Sequence, residues 1–361
     1  MVTALALFSG SLASRVAARL VQFSPAVDKI FLLHFRSPFF EEVDGLRDLV
    51  KEEWAGTVYR TQSLKNDYRR LANIIPGQHF SLPRSCLSCR TLMLSRTIRF
   101  AQRLKADFIV TGEVIGRHGL SESEMERITE DLGISGFVLR PLSARLLPET
   151  IPELKGWVER GRMGELRAGG EEEGTLRDWG RALSLDVDTE IGSYPRCKLT
   201  RGGFGKRLEN LFAEEEFTLN TLKLLDFKMY YKRSPDVKIV LALEEDEKRT
   251  LQTYFLPQDL RVYLPTHPGP MTLVRTDWGS KSAEEVEEII DLAARITATH
   301  SEAVQSSIVP VSYRFENDDE TQQVNVPPFR SAREISTRCF SARLTSLLSG
   351  DLAAAVEKPA Q

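Results

Sequence analysis

The chain opens with an apolar, strand-like segment that runs through a turn of small residues into a helix-like segment. Residues 3–8 read Thr-Ala-Leu-Ala-Leu-Phe, residues 9–14 read Ser-Gly-Ser-Leu-Ala-Ser, and the helix-like stretch covers residues 15–21. A helix that follows a buried strand presents backbone N–H groups without intrahelical partners, and its dipole adds partial positive charge. The turn is therefore a candidate cradle for phosphate in an α/β fold.

Apolar strand-like segments alternate with helix-like segments through the first half of the chain. The further predicted elements are strands at 28–34, 57–60, 106–112 and 136–140 and helices at 87–104 and 121–132. This alternation favours the α/β class, with a parallel sheet and helices on both of its faces. Ligands bind at the carboxyl ends of the strands in such sheets, so the turns at 9–14 and 111–116 are candidate ligand sites.

The composition changes near residue 160, which predicts a domain boundary. Residues 161–180 are rich in Gly, Glu and Arg, as is typical of a linker or mobile loop. Beyond them, further strand-like and helix-like segments predict a smaller α+β domain. The predicted organisation is an α/β domain that carries the candidate phosphate-binding turn at 1–160, a linker and third-cysteine segment at 161–215, a C-terminal α+β domain at 216–349 and a disordered tail at 350–361.

Composition restricts the classes of partner and the compartment. The chain has 361 residues, 42% of them hydrophobic, which is enough to bury the cores of two domains. Because 48 basic and 51 acidic residues give a net charge of −3, a nucleic-acid site has to be a local basic patch. No apolar run approaches the roughly 18 residues of a membrane span. Four cysteines do not make a disulfide framework, so the sequence predicts a cytoplasmic protein.

Three cysteines are candidates for chemistry because each lies in a basic stretch. Cys86 and Cys89 form a Cys-x-x-Cys pair at the start of a predicted helix, and residues 83–106 contain no acidic side chain. Cys197 lies in a second such stretch, residues 192–207. Positive charge and a helix N-terminus lower the pKa of a thiol, and positive charge also attracts RNA phosphates. These cysteines could therefore carry sulfur, bind a metal or cluster, or contact RNA.

Other interpretations of the same cysteines, as structural residues or zinc ligands, remain open. A Cys-x-x-Cys pair is often structural, and a zinc site needs four ligands. The three cysteines together with His34, His79 or His118 could supply such a site. Cys339 lies in an apolar helical pattern within residues 332–348, which predicts core packing instead.

Several motifs resemble those of the PP-loop ATP pyrophosphatase superfamily, in particular its tRNA-thiolating, 2-thiouridylase-like branch. The superfamily loop Ser-Gly-Gly-x-Asp-Ser is similar to residues 9–14, and Asn-Pro-Cys-x-x-Cys-Lys is similar to residues 84–90. The stretches 106–117 and 139–148 resemble the corresponding stretches of the same branch most specifically, and 197–200 falls where the branch carries its third cysteine. The likeness covers about residues 1–215 specifically and the remainder loosely.

The resemblance implies an ATP-dependent tRNA sulfurtransferase. ATP would adenylate a uridine of tRNA, and sulfur from a cysteine persulfide or an iron–sulfur cluster would then displace AMP. The implied cofactors are ATP, Mg²⁺ and either a [4Fe–4S] cluster or Zn²⁺, and the implied partners are tRNA and a sulfur-donor protein. The implied site comprises phosphate contacts from Ser9, Gly10, Ser11 and Ser14, adenosine contacts from Thr111 and Gly112, metal ligands Cys86, Cys89 and Cys197, and catalytic roles for Cys89 and Cys197.

Departures from the family motif leave two alternatives. Ser11 stands where the superfamily has glycine, and Ala13 stands where it has aspartate. A side chain at position 11 restricts the close approach of backbone to phosphate. The first alternative is a degenerate PP-loop protein that binds tRNA or a partner without ATP turnover. The second is a zinc-stapled scaffold.

Overall fold

The computed structural model describes residues 1–40, 45–64, 84–188, 197–198, 203–212 and 218–341. The chain divides into two compact units, which are unit 1 (residues 1–199) and unit 2 (residues 200–361). Unit 1 contains a parallel sheet with helices, and unit 2 contains an antiparallel sheet. The α/β class predicted from the sequence is confirmed at this level.

A five-stranded parallel sheet forms the centre of unit 1. Its strands are β1 (Thr3–Leu7), β2 (Lys29–Arg36), β3 (Val58–Ser63), β4 (Phe108–Val110) and β5 (Val138–Leu139). Their spatial order is β3-β2-β1-β4-β5, so β1 lies between β2 and β4. Apolar residues drive this arrangement, because a central parallel strand is buried on both faces. Ala4 and Leu5, which point to opposite faces of β1, are both almost fully buried.

Helices cover both faces of this sheet. They are α1 (Leu12–Gln22), α2 (Leu46–Glu53), α3 (Arg84–Leu104), α4 (Glu122–Asp131), α5 (Ile151–Leu154) and α6 (Glu172–Ala182). One core packs α1 and α2 against the sheet through side chains such as Val16 and Leu49. A separate core contains Leu94 of α3 and Ile128 of α4. The helices on both faces satisfy the two-sided burial that parallel strands require.

The segment that composition assigned to a linker contains α6, which belongs to unit 1. Leu176 of α6 is buried in the core that contains α1. Gly180 lies so close to α1 that a Cβ at this position would be 3.0 Å from Leu12 Cδ1. The glycines and charged residues that suggested a linker therefore have a structural explanation: the charged residues cover the outer face of α6, and Gly180 allows α6 to approach α1 closely. The domain boundaries given above remain a prediction.

Unit 2 is built on a seven-stranded antiparallel sheet. Its strands are β6 (Met229–Lys232), β7 (Lys238–Ala242), β8 (Leu260–Tyr263), β9 (Met271–Arg275), β10 (Val309–Phe315), β11 (Gln322–Val326) and β12 (Phe340–Ser341). Their order is β11-β10-β8-β9-β7-β6-β12. The helices of this unit are α7 (Phe204–Phe212), α8 (Leu219–Leu224), α9 (Glu245–Gln252), α10 (Ala283–Thr299) and α11 (Ala332–Arg338).

The long helix α10 covers one face of this sheet. Ser282 caps its N-terminus in a capping box with Glu285, and Ile289, Ala293 and Ile296 enter a core with alternate residues of the strands. Cys339 is 4% exposed in the same core, which agrees with its predicted packing role. The predicted helix over 332–348 is shorter in the structure, where α11 ends at Arg338 and residues 342–348 lie outside the described ranges.

Within the described ranges, we find no helix with the length and apolar character needed to cross a membrane.

Candidate functional sites

The turn predicted to cradle phosphate connects the carboxyl end of β1 to α1. Gly10 has a φ of 85°, a conformation that glycine adopts without strain. Ser11 is the N-cap of α1, and its Oγ accepts a hydrogen bond of 3.4 Å from the backbone N–H of Ser14. Ser9 Oγ donates to Ser11 Oγ at 2.9 Å. The serine hydroxyls therefore cap the helix and bond to one another, which is a structural role sufficient to explain them.

The second predicted turn meets the first at the same edge of the sheet. Thr111 and Gly112 follow β4, which is the neighbour of β1. A Cβ at Gly112 would be 2.7 Å from Ser14 Cα and 2.8 Å from the carbonyl oxygen of Ala13. Glycine is required here because the backbones of the two turns are in contact. The structure thus brings the predicted phosphate and adenosine residues together, while their ligand remains a prediction.

A buried carboxylate beside these turns was not singled out from the sequence. Glu113 is 7% exposed and accepts hydrogen bonds from Arg90 at 2.5 Å and Arg140 at 2.7 Å. Thr111 Oγ1 also donates to Glu113 at 3.1 Å. Burial alone would raise the pKa of Glu113, but the two guanidinium groups and their hydrogen bonds outweigh burial and lower that pKa to about 2. The network ties the start of α3 to the ends of β4 and β5.

The cysteine candidates are located at the carboxyl edge of the same sheet. Cys89 is buried near the start of α3, and since α3 returns the chain to β4, its start lies at that edge. Cys197 is half-buried and forms a β-bridge with Phe40, which follows β2. The backbone of Cys86 lies in α3, but its side chain is outside the described set. The convergence of the three sulfurs remains a prediction.

Two histidines of the predicted zinc set lie in the described ranges, and each has a lowered pKa. His34 Nδ1 is 2.9 Å from the carbonyl oxygen of Phe8, and burial lowers the pKa of His34. Burial and the charges of Arg90 and Arg117 lower the pKa of His118 to about 3. His79 lies outside the described residues. Among those that are described, no three His, Cys, Asp or Glu side chains are grouped so as to hold a metal.

The strands of unit 2 present a second candidate site on the face opposite to α10. Leu260 and Val262 of β8 point into the α10 core, so the alternate residues Arg261 and Tyr263 point the other way. On β10, Arg314 points in that same direction and lies opposite Arg261 in the antiparallel register. All three outward side chains are partly exposed. We call Arg261, Tyr263 and Arg314 the open sheet face.

A cleft of about 370 Å³ lies on the open sheet face. The loop between β8 and β9 forms one wall of this cleft, and Lys248 of α9 contributes from another side. Basic, aromatic and small side chains share its lining. The lining residues are Lys248, Arg261, Tyr263, Leu264, His267, Pro268, Gly269, Pro270, Met271, Arg314 and Thr321. Such a mixture suits an anionic ligand that also carries a planar group.

The two arginines of the open sheet face differ in how their charge is compensated. Arg261 forms a two-point ion pair with Glu316, with distances of 2.5 and 3.1 Å, and its guanidinium carbon lies 4.6 Å from the ring centre of Phe255. Arg314 has no ion pair or hydrogen bond from its side chain to any residue that the structure describes. Arg261 is therefore positioned and largely neutralised, whereas Arg314 presents a positive charge to the cleft.

A buried ion pair anchors the strand that carries Arg261 and Tyr263. Asp259, immediately before β8, is fully buried and binds Arg275 of β9 through two contacts of 2.8 and 2.6 Å. Arg275 also donates to Asn220 at 2.7 Å and to the carbonyl oxygen of Tyr254 at 2.8 Å. Buried charges are stable only when paired and hydrogen-bonded in this way. This buried polar network therefore fixes the position of β8, which carries Arg261 and Tyr263.

Comparison with known proteins finds a family match in unit 2. Residues 230–337 match the model of the NFACT protein RNA binding domain. This range contains all the residues that line the cleft. Among solved structures, the C-terminal part of the fibronectin/fibrinogen-binding protein from Streptococcus suis is similar, with 11% identity and a TM-score of 0.27 over 47% of this chain and 76% of that chain. A search of curated proteins gives no match.

The family match corrects the interpretation taken from sequence motifs. The resemblance to PP-loop ATP pyrophosphatases is wrong, because the family model that matches, over residues 230–337, is that of an NFACT RNA-binding domain. The ATP-dependent sulfurtransferase function, with its tRNA thiolation and iron–sulfur chemistry, is contradicted by the same match. The error came from giving weight to short motifs. The Ser9–Ser14 turn resembles the superfamily loop, but its serines are explained by the capping of α1. The alternative of RNA binding without ATP turnover agrees better with the match.

Proposed function

We propose that this protein binds RNA through unit 2, that the open sheet face and its cleft form the contact surface, and that binding needs no ATP hydrolysis. The observation that carries the proposal is the match of residues 230–337 to an RNA-binding domain. The cleft lies within this range and combines cationic and aromatic side chains. These are the two residue classes that proteins use to hold RNA phosphates and bases.

The net charge of the matched range restricts how RNA can be attracted to it. Residues 230–337 contain 12 basic and 18 acidic side chains, so the range has a net charge of 12 − 18 = −6. Uniform attraction to RNA is therefore excluded, and a local patch is required. Helix α10, on the opposite face, carries five of these acidic residues, namely Glu284, Glu285, Glu287, Glu288 and Asp291. Acidic residues also stand directly before the cleft residues Lys248 and Thr321, at 244–247 and 318–320, so the positive charge that RNA would meet on the open sheet face is that of Arg314.

The specific RNA that we propose is tRNA, the partner expected from the sequence, and tRNA binding would place the protein in the cytoplasm. The match supports RNA in general. Competition with total tRNA and with an unrelated structured RNA of similar length tests the finer proposal. Selective displacement by tRNA supports it, and equal displacement by both RNAs restricts the function to general RNA binding.

We expect the full chain to bind RNA with an affinity that falls as salt rises. Of the three cations that line the cleft, Arg261 is paired with Glu316 and Lys248 with Glu245, which leaves Arg314 to neutralise about one phosphate. The slope of log K against log salt concentration should therefore be about −0.7 for single-stranded RNA. Fluorescence anisotropy across a salt series, without nucleotide and then with ATP, measures this slope. Absence of binding at low salt, or binding that depends on ATP, would contradict the proposal.

A further inference from the structure

We infer that the cleft on the open sheet face takes a single unpaired nucleotide of RNA, with its base on Tyr263 and its phosphate at Arg314. This inference rests on the proposed RNA binding and specifies the form of RNA that the site accepts. It follows from the size of the cleft, from the spacing of its aromatic and cationic groups, and from the rigidity of its wall.

The size of the cleft matches a small ligand. At about 370 Å³ it lies near the lower end of the range of roughly 300–1,000 Å³ that is typical of small-molecule sites. One nucleotide fits such a volume, whereas two paired strands do not. Paired bases in an A-form helix are stacked, and side chains cannot read its deep, narrow groove. Entry therefore requires a base that is already free of its partner.

The antiparallel register places one aromatic group beside one uncompensated cation. Tyr263 lies opposite Ser312, and Arg261 lies opposite Arg314, so Tyr263 and Arg314 are diagonal neighbours on one face. Diagonal neighbours in a sheet are roughly 7–8 Å apart, within reach of long side chains. A base against the tyrosine ring and its phosphate at the guanidinium would span this separation. Ser312, the direct partner of Tyr263, has a small side chain and is 5% exposed.

The wall of the cleft is held in place by contacts within the protein. Gly269 lies so close to neighbouring side chains that a Cβ there would be 2.8 Å from Leu264 Cδ1 and 3.0 Å from Ser301 Cβ. The backbone N–H of Glu302 donates to the carbonyl oxygen of Pro268, and Pro270 is buried. Three prolines in the loop, at 265, 268 and 270, also restrict its backbone. A preformed wall lowers the conformational entropy cost of binding.

Two RNAs and two substitutions test this inference on the full chain. The probes are a short unstructured oligouridine and a blunt RNA duplex of the same length, and anisotropy gives Kd for each. We expect the wild type to bind the oligouridine more tightly than the duplex. Replacing Tyr263 with leucine should weaken oligouridine binding by at least about fivefold, because base stacking is removed. The Tyr263→Phe variant keeps the ring and should bind within about twofold of the wild type.

The outcomes separate this inference from the proposed function. If the wild type binds both RNAs equally and Tyr263→Leu changes neither Kd, RNA binding stands and the unpaired-nucleotide site is overturned. If the wild type binds neither RNA at low salt, the proposed function fails and this inference fails with it. Circular dichroism of both variants establishes that they are folded, and a loss seen equally in Tyr263→Phe would assign the tyrosine a hydroxyl-dependent role and contradict stacking.

Discussion

Reversing the charge of Arg314 is expected to weaken RNA binding by about 2 kcal/mol, or roughly thirtyfold in Kd. Arg314 presents a charge that no described side chain compensates, so a phosphate is its natural partner. In the Arg314→Glu variant, the new carboxylate would also lie opposite Arg261 in the register and partly neutralise it. The salt slope of log K for single-stranded RNA should become shallower by about 0.7 for each phosphate that the variant no longer binds.

A matched variant separates this local effect from the change in net charge. Arg333→Glu alters the total charge by the same amount, but Arg333 lies on α11 and does not line the cleft. We expect Arg333→Glu to change Kd by less than about threefold, since charges far from a binding site are screened at moderate salt. Equal losses in the two variants would show that RNA responds to overall charge and would remove Arg314 from the site.

Removing the charge of Glu113 is expected to destabilise unit 1 by about 3 kcal/mol. The Glu113→Gln variant keeps the shape of the side chain but leaves Arg90 and Arg140 without their shared carboxylate. Breaking a buried ion network by removing one partner is costly because the remaining charges stay desolvated. Urea unfolding of the full chain measures the loss. Hydrogen exchange of peptides from β4 and β5 assigns it to unit 1.

The same carboxylate predicts how stability depends on pH. The pKa of Glu113 is about 2 in the fold against 4.5 for an unperturbed glutamate, a difference of 4.5 − 2 = 2.5. A lowered carboxylate pKa contributes stability that is fully present above pH 4.5 and is lost as the pH falls toward 2. That contribution is about 3 kcal/mol. Wild type should therefore lose this increment over that interval, and Glu113→Gln should not.

An exposed ion pair provides the control for Glu113. Glu165 lies 3.3 Å from Arg145, and both side chains are about half exposed. Exposed pairs contribute roughly 0–1 kcal/mol, so Glu165→Gln should have little effect on urea unfolding. If Glu113→Gln is as stable as Glu165→Gln at neutral pH, the buried network does not stabilise unit 1 and its role must be sought elsewhere.

Local sequence signals predicted local structure well in this chain. The opening strand, turn and helix over residues 3–22 are found because an apolar run and a Ser11 N-cap act within a few residues of each other. The parallel sheet followed from the alternation of apolar strands with helices. The segment 172–182 differs, since it forms a helix despite its glycines. Its single buried glycine, Gly180, supports a helix contact that depends on the folded position of Leu12.

The proposed RNA-contact surface could not be predicted because its parts are distant in sequence. Arg261 and Arg314 share a face only after β8 and β10 pair, and no pattern within either strand indicates that pairing. Glu113 stands in a stretch that the motif analysis noted, but its partners Arg90 and Arg140 are 23 and 27 residues away. The Ser9–Ser14 turn, whose residues are adjacent in sequence, led to a wrong family resemblance. Its residues cap α1, which accounts for the likeness to the family loop, and their contact with phosphate remains a prediction.

Mapping the RNA contact on the wild-type chain tests the central claim most directly. Ultraviolet cross-linking of the full chain to single-stranded RNA, followed by mass spectrometry of the peptides, identifies the residues in contact. We predict cross-links in the peptides that contain Tyr263, His267 and Arg314, which line the cleft, and their disappearance when unlabelled RNA competes. Specific cross-links confined to unit 1, or to the acidic side of α10, would contradict RNA binding by the open sheet face.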